Sequence, residues 1–385
     1  MKIICDDKIP FLRGVFEPYA EVVYLPGAAI STADVRDADA LVVRTRTRCD
    51  AALLEGSSIR VIASATIGYD HIDTAWCSGH GIEWANAPGC NSGSVAQYVE
   101  SALLTLSRLH GLDLGAQTLG IVGVGHVGSK VEQLARRLGM RVLLCDPPRA
   151  AAARLTVGTV SPAFSPAPAG DDSLAVPVSS TDQTSPAFFP TPASVTPHAA
   201  EDFCSLDDLV AGSDIITLHV PLDDSTRYMF DATQLASMRP DQILINTSRG
   251  EVVNCSALRD LLARCHAAGI SPSDHTPGGP GVAVLDVWEN EPNIDRELLR
   301  LVDIGTPHIA GYSADGKANG TTAAVRFVAR RLGISPLRDW SVSPDSIPPA
   351  TYPGYDVTRD SDALKSTPDN FEFFREHYPI RREYY

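Results

Sequence analysis

Three charged side chains follow apolar runs in the second half of the chain. Arg249 lies in Asn246-Thr247-Ser248-Arg249-Gly250, Glu291 in Asp286-Val287-Trp288-Glu289-Asn290-Glu291-Pro292, and His308 in Thr306-Pro307-His308-Ile309-Ala310-Gly311-Tyr312. An arginine clamps a carboxylate in fixed geometry. A histidine moves a proton near neutral pH, and a glutamate can orient its ring. The three together make a complete set for acid/base-assisted hydride transfer at a hydroxyl-bearing carbon. Taken singly, each has a plainer reading: a solvated loop charge, a helix-start residue and one of ten ordinary histidines.

The strongest local pattern is Gly123-Val124-Gly125-His126-Val127-Gly128, a G-x-G-x-x-G turn. It follows an expected strand (118–122) and opens an expected helix (127–138). Asp146 closes the next strand roughly 20 residues on, as a dinucleotide fingerprint requires. Glycines let backbone approach a pyrophosphate, which the helix N-terminus then attracts. The Asp146 carboxylate accepts hydrogen bonds from a ribose diol and repels a 2′-phosphate, which favours NAD over NADP.

These residues need elements to place them. The first third alternates short apolar strands (2–5, 21–24, 40–44, 60–65, 82–85) with helix starts at Ser31 and Asp50. A long amphipathic helix is expected over 94–109. Strands at 118–122, 141–145, 214–219, 242–246 and 282–286 then alternate with helices at 127–138, 231–238 and 254–268. This order implies an α/β chain with two doubly wound parallel sheets. Residues 151–200 hold eight of the 28 prolines and one basic residue, Arg154. Such a stretch cannot bury enough apolar surface to offset its ordering entropy, and a disordered insertion at about 150–202 is expected. A second extended loop is expected over 270–281.

Composition sets outer bounds. Apolar residues make up 44% of 385 and charged residues 21%, as in ordinary globular proteins. Net charge is −15, with 47 acidic and 32 basic side chains, so a general nucleic-acid binder is not expected. No apolar run of about 20 residues appears that would span a bilayer. Eight scattered cysteines without a C-x-x-C pair signal neither a metal site nor a disulfide framework. A reduced, cytoplasmic protein is the expectation.

Over residues 1–335 the strings GIVGVGHVGSKV, ILINTSRGEVVN, LDVWENEP and TPHIAGY resemble the D-2-hydroxyacid dehydrogenase superfamily. Narrower strings resemble its branch acting on 4-phospho-D-erythronate: ALVVRTRTR (40–48), ATIGYDHID (65–73), APGCNSGSVAQYV (87–99), LLCDPPRA (143–150) and DIGTPHIAGYSADGKANGTT (303–322). The resemblance implies NAD-dependent oxidation at C2 on a route to pyridoxal 5′-phosphate. It implies a Rossmann NAD domain (99–289), a flavodoxin-like substrate domain (1–98 with 290–335) and a shortened C-terminal dimerisation-like region (336–385) in a homodimer. It assigns catalysis to Arg249, Glu291 and His308, substrate contacts to Thr45, Thr66 and Tyr312, and NAD contacts to Asp146, Val220, Asp286 and Gly311. Gly68 is a candidate for offering backbone N–H groups to the substrate carboxylate. Arg44, Arg46 and Arg48 alternate along an expected strand end, so they are candidates for the phosphate, against a plainer reading as a solvated basic edge. Two other readings stay open: a related dehydrogenase of 3-phosphoglycerate or glyoxylate/hydroxypyruvate type, and a non-catalytic NAD sensor.

Overall fold

The computed structural model describes residues 1–157, 198–268 and 278–384. Among the described residues, eleven strands form two all-parallel sheets. The first contains β1 (Lys2–Asp6), β2 (Glu21–Leu25), β3 (Ala40–Val43), β4 (Val61–Ser64) and β5 (Glu83–Ala85) in the order β2-β1-β3-β4-β5. The second contains β6 (Thr118–Val122), β7 (Arg141–Cys145), β8 (Ile215–Leu218), β9 (Ile243–Asn246), β10 (Val282–Leu285) and β11 (Ile304–Gly305) in the order β11-β10-β9-β8-β6-β7. Strands β3, β4, β6, β8 and β9 are buried along their whole length, because helices cover both faces of a parallel sheet. In each sheet the order reverses beside its first strand, between β1 and β3 and between β6 and β8. Ligands of such sheets bind outside the strand carboxyl ends at that switch.

Two 19-residue helices, Ser92–His110 and Ala314–Leu332, pack against each other. Each stops at a glycine in left-handed conformation, Gly111 (φ 65°) and Gly333 (φ 74°), a backbone state that costs glycine no Cβ clash. The Ala314–Leu332 helix packs on β4 of the first sheet.

Three expectations about organisation change. Residues 290–335 do not all belong with the first sheet, because β11 pairs in parallel with β10 and extends the second. Return to the first sheet therefore comes at the Ala314–Leu332 helix. The edges of the expected insertion are ordered: Pro147–Val157 is helical, Ala200–Asp202 forms a 3-10 turn, and Phe203 bridges to Leu144. The rest of that insertion, 158–197, and residues 269–277 of the second loop lie outside the described residues. The third change concerns the tail. It carries helices Val357–Ser366 and Phe371–Glu376. Leu364 and Phe371 are buried in the core of the second sheet together with Leu258, Leu298 and Trp288. Val357 is buried beside Tyr98 and Ile304. The tail completes a core rather than standing apart from it.

Candidate active site

Arg249 follows β9, in extended conformation ahead of a short 3-10 turn at Gly250–Val252. A Cβ on Gly250 would strike the Trp288 backbone, so this turn lies hard against the segment that carries Glu291. One Arg249 nitrogen donates to the Ser248 carbonyl at 2.8 Å, and another lies 3.4 Å from Asp70 Oδ2, across from the first sheet. Gly68 passes directly under the guanidinium, where any Cβ would collide with it. Residues 66–70 and Arg249 thus face one another between the sheets.

His308 and Glu291 form a pair. His308 Nδ1 lies 2.8 Å from Glu291 Oε2, while Oε1 of the same carboxylate accepts the Trp288 N–H at 2.9 Å. Burial raises the Glu291 pKa, but the His308 bond and charge, the Trp288 N–H and the Arg375 charge outweigh it and leave the net value lowered. With an ionised carboxylate at Nδ1, the proton of neutral His308 sits on Nδ1 and Nε2 keeps a free lone pair. The ring is about a third exposed, so that lone pair is reachable. His308 has φ 55°, a left-handed backbone that a non-glycine residue holds only when its surroundings impose it.

Asp286 imposes it. Its carbonyl accepts the His308 N–H at 2.7 Å. Its carboxylate accepts Thr306 Oγ1 at 2.7 Å, Ile309 N–H at 2.8 Å and Ala310 N–H at 2.9 Å. Burial raises the Asp286 pKa, against the lowering effects of His308 and these donors. Asp286 is 1% exposed, and both carboxylate oxygens serve the loop 306–310. Gly311 continues the loop against Asn91, with no room for a Cβ, and Tyr312 stacks edge-on against Tyr378 of the tail at 5.7 Å.

The glycine turn divides its labour in a way the pattern alone does not reveal. Gly123 has φ 87°, and its α-carbon faces the His219 carbonyl and Val220. A Cβ on Gly128 would collide with the Gly123 carbonyl, so this glycine permits close packing of helix His126–Arg137 on the turn. A Cβ on Gly125 would meet nothing within 4 Å, which is the open side where a pyrophosphate needs backbone. His126 heads the helix against Gly89, and burial followed by the Lys130 charge lowers its pKa. Val127 is half-buried beside it. Asp146 follows β7 and accepts the Val124 N–H at 2.8 Å and the Arg149 N–H at 3.0 Å. It remains partly exposed at the rim of the turn. This cradle fits NAD: open backbone at Gly125, a helix N-terminus and a carboxylate at the ribose position.

The substrate-side residues do not all meet. Thr66 Oγ1 bonds Ser64 Oγ at 2.8 Å and the Gly68 carbonyl at 3.1 Å, close under Arg249. Thr45 is exposed after β3. The strand stops at Val43, so Arg44, Arg46 and Arg48 lie in a turn and share no strand face. Arg46 is ion-paired with Glu372 and Glu376 of the tail, and Arg48 with Asp50 at 2.7 Å. Arg44 alone keeps no acidic partner among the described residues and donates to the Lys8 carbonyl at 3.3 Å. Sequence reasoning missed Asp70, Trp288 and Arg381. Asp70 and Trp288 lie inside the strings ATIGYDHID and LDVWENEP, which could have pointed to them, while Arg381 carried no such signal. Among the described residues no His, Cys, Asp or Glu cluster suits a metal, and no helix is long and apolar enough to cross a membrane.

Known proteins match this arrangement. The family described as D-isomer specific 2-hydroxyacid dehydrogenase, NAD binding domain, matches residues 94–188 and 187–310. The erythronate-4-phosphate dehydrogenase of Bacteroides fragilis is 44% identical across 100% of this chain and 97% of its own length. That of Ectopseudomonas mendocina is 37% identical across 100% and 93%. The D-lactate dehydrogenase of Aquifex aeolicus, solved with NAD and lactic acid, superposes with a TM-score of 0.62 at 22% identity, covering 91% of this chain and 100% of that one, and shares the fold.

Proposed function

The chain belongs to the D-isomer specific 2-hydroxyacid dehydrogenases, in the erythronate-4-phosphate dehydrogenase family, and from that premise we propose that it oxidises 4-phospho-D-erythronate at C2 to 2-oxo-3-hydroxy-4-phosphobutanoate. It is an NAD-dependent enzyme. The observation that carries the reading is the His308–Glu291 pair set beside Arg249, at the carboxyl ends of the second sheet and facing Gly68 of the first.

Arg249 holds the substrate carboxylate and C2 oxygen, with Gly68 backbone below and Thr66 beside it. His308 Nε2 takes the C2 hydroxyl proton while the C2–H bond breaks and C2 becomes a carbonyl. NAD, when bound, accepts the hydride. Glu291 holds the ring through Nδ1 and stabilises the imidazolium that forms. Asp286 fixes the loop that presents His308. Gly123, Gly125, His126, Val127, Gly128, Asp146, Val220, Asp286 and Gly311 are assigned to the cofactor side, and Tyr312 and Thr45 to the substrate side. Asp146 favours NAD over NADP. The product feeds a route to pyridoxal 5′-phosphate.

The eight cysteines are free thiols, which supports a reducing, cytoplasmic setting. Exposed Tyr352, Phe373, Ile380 and Tyr384 of the tail support a homodimer, to be checked by sedimentation. The decisive assay follows NADH formation with 4-phospho-D-erythronate, 3-phosphoglycerate and glycerate. Preference for the first is expected. Tight NAD binding with no turnover of any 2-hydroxy acid would overturn the enzymatic role.

A further inference from the structure

We infer that Lys317, together with Arg44, forms the receptor for the distal phosphate of the substrate and selects phosphorylated over unphosphorylated 2-hydroxy acids. This rests on the dehydrogenase reading above.

Lys317 lies in the first turn of the Ala314–Leu332 helix, which Ser313 caps by accepting the Gly316 N–H at 2.8 Å. That end of the helix is pressed against the cleft. A Cβ on Gly316 would crowd Asn91, and one on Gly320 would strike the carbonyl of Ala65, the residue before Thr66. The Lys317 ammonium lies 5.2 Å from the centroid of the Tyr312 ring, four residues after His308. It is solvent-accessible, and no carboxylate among the described residues pairs with it. The charge it feels is Arg44, of the same sign. Desolvation by the atoms packed around its stem, followed by this repulsion, lowers the Lys317 pKa.

Both cations border the segment after β1: Arg44 donates to the Lys8 carbonyl, and Thr321, one helical turn after Lys317, donates to the Pro10 carbonyl at 2.8 Å. Two cations without acidic partners at one segment are costly, and less expected in a chain with net charge −15. Neighbouring Arg46 and Arg48 are both neutralised by acids. The unpaired couple sits where chain topology favours a ligand. Arg44 follows β3 and reaches the Lys8 carbonyl after β1, at the switch point of the first sheet. Arg249 is placed for the substrate carboxylate at the other side of the cleft floor. What remains for Lys317 and Arg44 is a second, multivalent anion. A phosphate fits, with oxygens enough for both and charge enough to relieve their repulsion.

The test compares wild type, K317M and K317R on 4-phospho-D-erythronate and D-erythronate. The ratio of the two kcat/KM values should fall about 10–100-fold in K317M, the range lost with one charge-assisted hydrogen bond. K317R, which keeps the charge, should recover much of it. NAD affinity reports folding in both variants. A parallel titration with inorganic phosphate should show weaker binding to K317M than to wild type. An unchanged ratio, or equal loss on both acids, overturns the proposal. If wild type itself fails to oxidise the phosphorylated acid, the substrate reading falls, and the phosphate titration alone decides: phosphate affinity unaffected by K317M, or absent from wild type, overturns the anion receptor.

Discussion

Glu291 Oε2 and His308 Nδ1 lie 2.8 Å apart, and that one contact commits the other face of the imidazole to the cleft. The carboxylate is itself held by the Trp288 N–H, and the histidine by the Asp286 carbonyl, so neither partner is free to turn away.

Removing the histidine should remove the base and little else. H308A is expected to lose about 10²–10⁴-fold in kcat while NAD affinity, read by fluorescence titration, stays within about twofold. E291Q keeps the shape but not the charge and should lose about 10–100-fold, because nothing then stabilises the imidazolium. Near-wild-type turnover in H308A would assign the proton to another group.

Two glycines of one motif should fail differently. G128A forces a Cβ into the Gly123 carbonyl and is expected to lower the melting temperature. G125V has room for its side chain in the free protein, where a Cβ meets nothing within 4 Å. It should melt like wild type without cofactor yet bind NAD about tenfold or more weakly, since it fills the pyrophosphate approach. Calorimetry with and without NAD separates the two outcomes.

Arg381 ties the tail to the loop that carries His308. Its guanidinium is buried and donates to the carbonyls of Ser94 at 3.3 Å, Ile309 at 3.4 Å and Ala310. R381M leaves these acceptors unpaired and should cost about 1–3 kcal/mol of stability. It should also lower kcat, because Ile309 and Ala310 directly follow His308. Wild-type kcat in a destabilised R381M would mean the tail braces the fold without setting the loop.

Acid should weaken the fold through two half-buried histidines that are neutral in the folded state. Burial lowers the His71 pKa to about 4, with Asp70 opposing, and burial lowers that of His219 to about 3. The unfolded chain takes up these protons near the ordinary value of 6.5, so between 6.5 and the folded values it binds more of them. Stability is therefore full above that window and falls as pH drops through it. Urea melts at pH 7 and pH 5 should show the loss, and H219Q should reduce it.

Much of this molecule was readable from local pattern. Strands Thr118–Val122 and Ile243–Asn246 fall where the apolar runs place them, because a strand covered on both faces is apolar along most of its length. Helix Cys255–Ala268 and the glycine turn follow for the same kind of reason: each is dictated by residues close in sequence. The proposal of Arg249, Glu291 and His308 as the chemical group of the chain also started from sequence. What sequence left open were choices made across long separations. Three arginines at 44, 46 and 48 are equivalent as a string, yet Glu372, more than 300 residues away, neutralises one and Asp50 another. Of the three, only Arg44 has no acidic partner among the described residues. The tail looked like a separate appendage because its apolar residues are too sparse to make a core alone, and Leu364 and Phe371 find their burial in a core built by distant strands. Local periodicity fixes which elements form, while ion pairs and core contacts between distant segments decide which side chains remain free to act.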